Sequence, residues 1–215
     1  MLMEERVSLE RVRISKDLHD HLGTSLVTMI AQTENIENNL KLNNIDGALD
    51  KVRQLSDQSR DTIDVLRETI WAVQENSHSV SEFILRTRNF LQRAYLSANI
   101  EWEVTLTGSG QSILSANQTL QLFRVIQEST QNIIKHAFAT STRYVFFENE
   151  NELRLEISDN GRGIHTDSEA GNGIENIKQR IQQIGGLVNF HSNKGTIIFI
   201  SLPLQKNKNS KWARQ

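Results

Sequence analysis

The tract Asp159-Asn160-Gly161-Arg162-Gly163 follows directly on the apolar run Leu153–Ser158, and Gly171-Asn172-Gly173 comes eight residues later, where a helical pattern begins. Glycines in such places let the backbone approach a phosphate closely, and free N–H groups at the next helix start can receive it. The spacing matches neither the P-loop pattern nor the dinucleotide fingerprint. Taken alone, each glycine pair reads most simply as a turn. A second candidate lies upstream, in Gln127-Glu128-Ser129-Thr130-Gln131-Asn132-Ile133-Ile134-Lys135-His136-Ala137. On a helix, Glu128, Asn132, Lys135 and His136 fall along one side. A carboxylate and an amide one turn apart can share a magnesium ion, directly or through its waters, and a lysine beyond them can reach the phosphates it bridges. Alone, this run reads equally well as a solvated helix face. Beside two glycine turns it points to a nucleotide site. A third candidate is the histidine pair in Leu18-His19-Asp20-His21-Leu22-Gly23.

These residues need elements to hold them. Pro203 is the single proline, so everything before it is free to form long helices. Leu18, Leu22, Leu26, Met29, Ile36 and Leu40 recur at mostly three- and four-residue steps, the signature of a helix with one apolar stripe. Asn43-Asn44 breaks the pattern, and a second stripe runs through Ile45, Leu49, Val52, Leu55, Ile63, Leu66, Ile70 and Val73. Residues 1–75 therefore form an antiparallel helical hairpin. A hairpin cannot bury two stripes alone, so it is expected to pair with its own copy into a four-helix bundle, making the protein a homodimer.

The polar residues 76–80 read as a linker. Residues 81–205 read as an α/β sandwich, a mixed sheet with helices on one face. Its helices are expected over Val80–Ala98, Ala116–Phe138 and Ile174–Ile184. Its strands are expected over Ile100–Leu106, Arg143–Phe147, Leu153–Ser158, Leu187–His191 and Thr196–Leu202. Residues 206–215 form a charged tail, expected to be mobile.

Composition narrows the chemistry. The 215 residues are 37% hydrophobic and 23% charged, an ordinary globular balance. A net charge of −2 gives no electrostatic case for nucleic acid, and the lack of cysteine excludes disulfides, thiolate metal sites and thiol nucleophiles. No apolar run approaches the roughly 20 residues of a membrane span. The chain is cytoplasmic in character, with any membrane link expected through upstream segments outside it.

Asn132, Lys135-His136, Asp159-Asn160-Gly161-Arg162-Gly163, Gly171-Asn172-Gly173 and Gly195-Thr196, in that order, resemble the N, G1 and G2 boxes of the Bergerat ATP-binding fold. Histidine kinases, gyrase B, heat-shock chaperone ATPases and MutL share this fold. The resemblance implies that Asp159 accepts a hydrogen bond from the adenine amino group and that Asn132, with Glu128, holds Mg2+ for bound ATP. It implies that Gly161, Gly163, Gly171 and Gly173 flank a lid over the phosphates, here short, and that Thr196 supports the adenine end.

The ATP fold alone does not give the reaction. At ~100° per residue, His19 and His21 flank the Leu18–Leu22 stripe symmetrically, so periodicity leaves them equivalent. Leu18-His19-Asp20-His21-Leu22-Gly23, after Arg13-Ile14-Ser15, resembles the H box of histidine kinases that signal to LuxR/NarL-like response regulators. In that box the phosphorylated histidine directly precedes the aspartate, which selects His19, with Asp20 as its acceptor or base. Arg67-Glu68-Thr69-Ile70-Trp71-Ala72-Val73 is similar to the end of the second dimerisation helix of the same group. The resemblance implies autophosphorylation of His19 and transfer to an aspartate of a receiver domain. One position departs: related kinases often carry glutamine where this chain has Thr24, a shorter group with different donors, which puts dephosphorylation of the partner in doubt. An ATPase driving a conformational cycle and a non-catalytic nucleotide-binding dimer are the competing readings. The first has no use for the His19 segment, and the second has no use for an intact polar helix and both glycine turns.

Overall fold

A computed structural model describes residues 23, 25–74, 77–96, 98–163 and 173–204. The chain divides between Asn76 and Ser77 into two units. The first is a helical hairpin. Helix α1 covers residues 25–41 of the described chain and α2 spans Ile45–Gln74. The turn between them is built from asparagines. Asn43 takes a left-handed φ of 54°, a conformation asparagine tolerates better than most residues. Asn44 Oδ1 accepts the Gly47 N–H at 3.1 Å, capping α2, while its Nδ2 donates to Asn39 Oδ1 at 2.7 Å. Within one chain the apolar stripe stays largely uncovered: Leu26, Ile30, Leu49, Val52 and Ile63 are all exposed. Among the described residues no helix is long and apolar enough to cross a membrane.

The second unit is an α/β sandwich. Strands β2 (Glu101–Thr107), β4 (Ser141–Glu148), β5 (Glu152–Asp159), β6 (Leu187–Asn193) and β7 (Gly195–Pro203) form one sheet in the order β2-β4-β5-β7-β6. The β2–β4 pair is parallel and the other pairs are antiparallel. Burial alternates along β4, where Thr142, Tyr144, Phe146 and Glu148 face inward. That face carries α3 (Val80–Ala94), α4 (Ala116–Asn132) and α5 (Gly173–Gln183). Phe83 joins the layers, its ring 6.4 Å from Phe123 on α4 and 6.1 Å from Phe146 on β4, both edge-on.

Ser77–Ser79, inside the tract expected to be a linker, is strand β1, paired antiparallel with β3 (Ile113–Ser115). The pairing places Ser79 and Ser115 as N-caps of α3 and α4. Each closes a capping box, Ser79 with Glu82 and Ser115 with Gln118. Helix α3 ends at Ala94, four residues short of expectation, with the buried Tyr95 as its C-cap.

Glu148 is the last residue of β4, an interior strand of the sheet. Its carboxylate accepts the Ser112 N–H at 2.7 Å, the Gly110 N–H, and the Ser109 hydroxyl at 3.3 Å, fixing the loop before β3. Burial pushes its pKa up, but these donors outweigh it and leave the group below the usual carboxylate range.

Candidate functional site

Helix α4 runs along the sheet with Thr130 facing inward and Glu128 and Asn132 half-buried, one turn apart. The expected continuous helix to Phe138 is not kept. At Ile133 the ladder changes to i→i+5 bonds, and Ile133–Ala137 forms a single π turn. The regular spacing that aligns Lys135 and His136 with Glu128 therefore ends at Asn132. Both Lys135 and His136 lie on this π turn and are exposed. Phe138 then ends the helix at φ 53° and ψ 33°, and is 80% exposed.

Strand β5 delivers Asp159 at its end, half-buried and paired with Thr142. Its Oδ1 accepts the Gly161 N–H at 2.8 Å, which turns the chain sharply. Asn160 Oδ1 accepts the Thr140 and Ser141 N–H groups, both at 2.9 Å, tying this turn to the segment leaving α4. Gly161 lies directly against the Ala137 carbonyl, where a Cβ would overlap the oxygen. Gly195 packs on the Asp159 carbonyl, and the half-buried Thr196 follows it on β7. Gly163 is the last described residue of the loop.

Gly173 opens α5 against α4. A Cβ there would overlap Glu128 Oε1 and lie 3.4 Å from Asn132 Nδ2. The N-terminus of α5 is thus seated on the Glu128–Asn132 pair. His19, Asp20, His21, Thr24, Gly171 and the tail from 206 lie outside the described residues.

Two family models match the chain: a histidine kinase model over residues 10–78, and a histidine kinase-, DNA gyrase B- and HSP90-like ATPase model over residues 117–206. The chain belongs to the histidine kinases. Among curated relatives, the signal transduction histidine-protein kinase/phosphatase UhpB of Salmonella typhimurium is 27% identical over 94% of this chain and 40% of its own length. The sensor histidine kinase YvfT of Bacillus subtilis is 24% identical over 92% and 51%. The kinase/phosphatase DegS of Brevibacillus brevis is 25% identical over 91% and 51%. The chain spans about half the length of these relatives. Among solved structures, the Erythrobacter litoralis EL346 blue-light activated histidine kinase aligns with a TM-score of 0.57 at 18% identity, over 82% of this chain and 64% of that one. Acinetobacter baumannii AdeS aligns with a TM-score of 0.54 at 16% identity, over 88% and 98%. At such identities the likeness speaks for the fold.

Of the residues singled out in this histidine kinase, the structure gathers Glu128 with Asn132 and Gly173, and Asp159 with Gly161 and the Gly195–Thr196 strand start. The two groups are joined through the π turn that Gly161 touches. Behind Asp159 lies a hydroxyl cluster for which the sequence carries no signal. Tyr144 Oη stands 2.9 Å from Tyr95 Oη and 2.7 Å from Thr130 Oγ1, and Thr142 Oγ1 donates to the Ser158 carbonyl at 2.9 Å. Burial raises both phenols, with Asp159 adding to the effect on Tyr95, so both stay neutral donors. Among the described residues no three His, Asp or Glu side chains converge as a protein-only metal cage. One carboxylate with one amide suits an ion that keeps its waters and binds phosphate oxygens, as magnesium does.

Proposed function

We propose that this histidine kinase core binds ATP between α4 and the end of β5 and transfers its γ-phosphoryl group to His19. The observation carrying the reading is the seat of Gly173 on Glu128 and Asn132, across the π turn from Asp159. It supports one cleft with a hydrogen-bond acceptor at one end. Its other end would hold a cation-binding pair beneath the N–H groups of a helix start.

In this reading Asp159 accepts the adenine amino N–H, backed by Thr196. Asn132 and Glu128 hold Mg2+, which when bound neutralises charge on the triphosphate. Lys135 on the π turn reaches toward the phosphates, and His136 lines the same wall. Gly161, Gly163, Gly171 and Gly173 give backbone access to the nucleotide. A neutral ring nitrogen of His19 attacks the γ-phosphorus in line; the P–N bond forms as the P–O bond to ADP breaks. Asp20 accepts the hydrogen bond from the opposite ring N–H and stabilises the charge the ring acquires. The phosphoryl group then passes to an aspartate of a LuxR-like response regulator. This partner is supported by the H-box resemblance of Leu18-His19-Asp20-His21-Leu22-Gly23. The uncovered stripe on α1 and α2 supports a homodimer formed through the hairpin. ATP as phosphoryl donor places the reaction in the cytoplasm. UhpB and DegS are named kinase/phosphatases. In this chain, dephosphorylation would have to use Thr24, whose hydroxyl can still hold a water.

Incubation with γ-labelled ATP and magnesium tests the site. The wild type should become labelled, Asn132→Ala and Asp159→Asn should fall at least about 100-fold (~2.7 kcal/mol), and Asp20→Asn should slow. Labelling of Asn132→Ala or Asp159→Asn at the wild-type rate contradicts the cleft, and an unslowed Asp20→Asn removes that residue's role.

A further inference from the structure

The π turn poses a hydrogen-bond problem. Where a helix ends, its last carbonyls lack intrahelical donors, and they carry the negative end of the helix dipole. Here the end falls at His136 and Ala137, and Phe138 turns the chain away in the left-handed region. Such a conformation persists in a bulky residue only where its surroundings hold it. What holds it comes from the loop after Asp159. The Arg162 N–H donates to the Ala137 carbonyl at 2.8 Å. Its side-chain Nε donates to the His136 carbonyl, also at 2.8 Å. The guanidinium carbon sits 5.0 Å from the centre of the Phe138 ring. One residue thus supplies two donors and a cation to a helix end that needs both, and covers the aromatic ring beyond it.

These contacts lie at the corner between the two halves of the cleft. On one side are Asn132, Lys135 and His136. On the other is Asp159, two residues before Gly161, which packs on the same Ala137 carbonyl. We infer that Arg162 is a positioning residue for nucleotide binding: it clasps the end of α4 to the loop after Asp159 and holds the two walls in register. The inference rests on the ATP-site reading above.

A wall that is in register only part of the time lowers apparent affinity in proportion to that fraction, while molecules that have bound ATP react normally. The clasp therefore acts on affinity and KM rather than on kcat. An arginine contacting phosphate through its charge alone would behave differently, because lysine would replace it. Lysine lacks the planar fork and the Nε that meets the His136 carbonyl.

The test uses the full chain with magnesium. Calorimetry with a non-hydrolysable ATP analogue gives affinity, and labelling by ATP gives KM and kcat, for wild type, Arg162→Ala, Arg162→Lys and Phe138→Leu. Arg162→Ala should weaken affinity and raise KM about tenfold, the scale of one charge-assisted hydrogen bond, with kcat within about twofold. Arg162→Lys should stay within about twofold of Arg162→Ala, and Phe138→Leu should lose about threefold. Unchanged affinity in Arg162→Ala, full rescue by lysine, or a fall in kcat at constant KM would each overturn the clasp. If circular dichroism shows Arg162→Ala unfolded, Arg162→Lys and Phe138→Leu decide by the same measures. A wild type that binds no nucleotide removes the ATP-site reading and this inference with it, whereas tight wild-type binding unaffected by the variants removes the inference alone.

Discussion

A methyl group at Gly173 would meet the tip of the flexible Glu128 side chain, which would have to swing aside. Gly173→Ala should displace the Glu128 carboxylate from beside Asn132, and ATP affinity should fall about tenfold (~1.4 kcal/mol) with the fold retained. Calorimetry showing unchanged affinity would mean that the seat of α5 on Glu128 has no part in binding. Glu148 makes a prediction about pH. Its folded pKa is lowered, so its contribution to stability is present above the usual carboxylate range and lost as pH falls through the folded value. Glu148→Gln should cost ~1.5–3 kcal/mol near neutrality, the worth of hydrogen bonds to a charged group. Thermal unfolding followed from pH 7 downward should show that gap closing in acid; a constant gap would contradict the assignment. At this scale much of the site can be read from sequence, because Asp159-Asn160-Gly161-Arg162-Gly163 announces a tight turn through residue type alone. The neighbours of that turn cannot be read this way. Gly161 meets Ala137, and Arg162 meets His136, across more than twenty residues of chain.

At the scale of elements, the sheet strands were legible where apolar and polar residues alternate, as in β2 and β5. The short pair β1 and β3 was not. Ser77-His78-Ser79 has no apolar alternation, and its strand geometry comes from Ile113–Ser115, a partner distant in sequence. The two capping boxes are local signals, Ser79 with Glu82 and Ser115 with Gln118, and they mark where α3 and α4 begin. The π turn is the opposite case. Ile133-Ile134-Lys135-His136-Ala137 contains no residue type that separates an i→i+4 ladder from an i→i+5 one. The donors that meet its last carbonyls come from outside the segment, on Arg162.

At the scale of the molecule, the hairpin and the sandwich are separate units that bury their apolar surface in different ways. The sandwich has an internal core around Phe83, Phe123 and Phe146, whereas Leu49, Val52 and Ile63 on α2 remain exposed in a single chain. Burying such a side chain contributes ~1.5–3 kcal/mol, so several together supply the drive for a second copy to cover them. Sedimentation should therefore find a species of twice the 24.6 kDa chain mass. Leu49→Asp with Val52→Asp should shift it to monomer while nucleotide affinity stays within about twofold, since neither residue lies in the ATP-binding unit. A monomeric wild type would contradict the bundle.

In the proposed reaction the phosphoryl group goes to one histidine of two that helical geometry leaves equivalent. The direct measurement is labelling with γ-labelled ATP and magnesium in wild type, His19→Gln and His21→Gln, followed by acid and base treatment. Label should survive base and be lost in acid, present in wild type and His21→Gln and absent from His19→Gln. Label retained in His19→Gln, or ATP hydrolysed with no protein label, would contradict it.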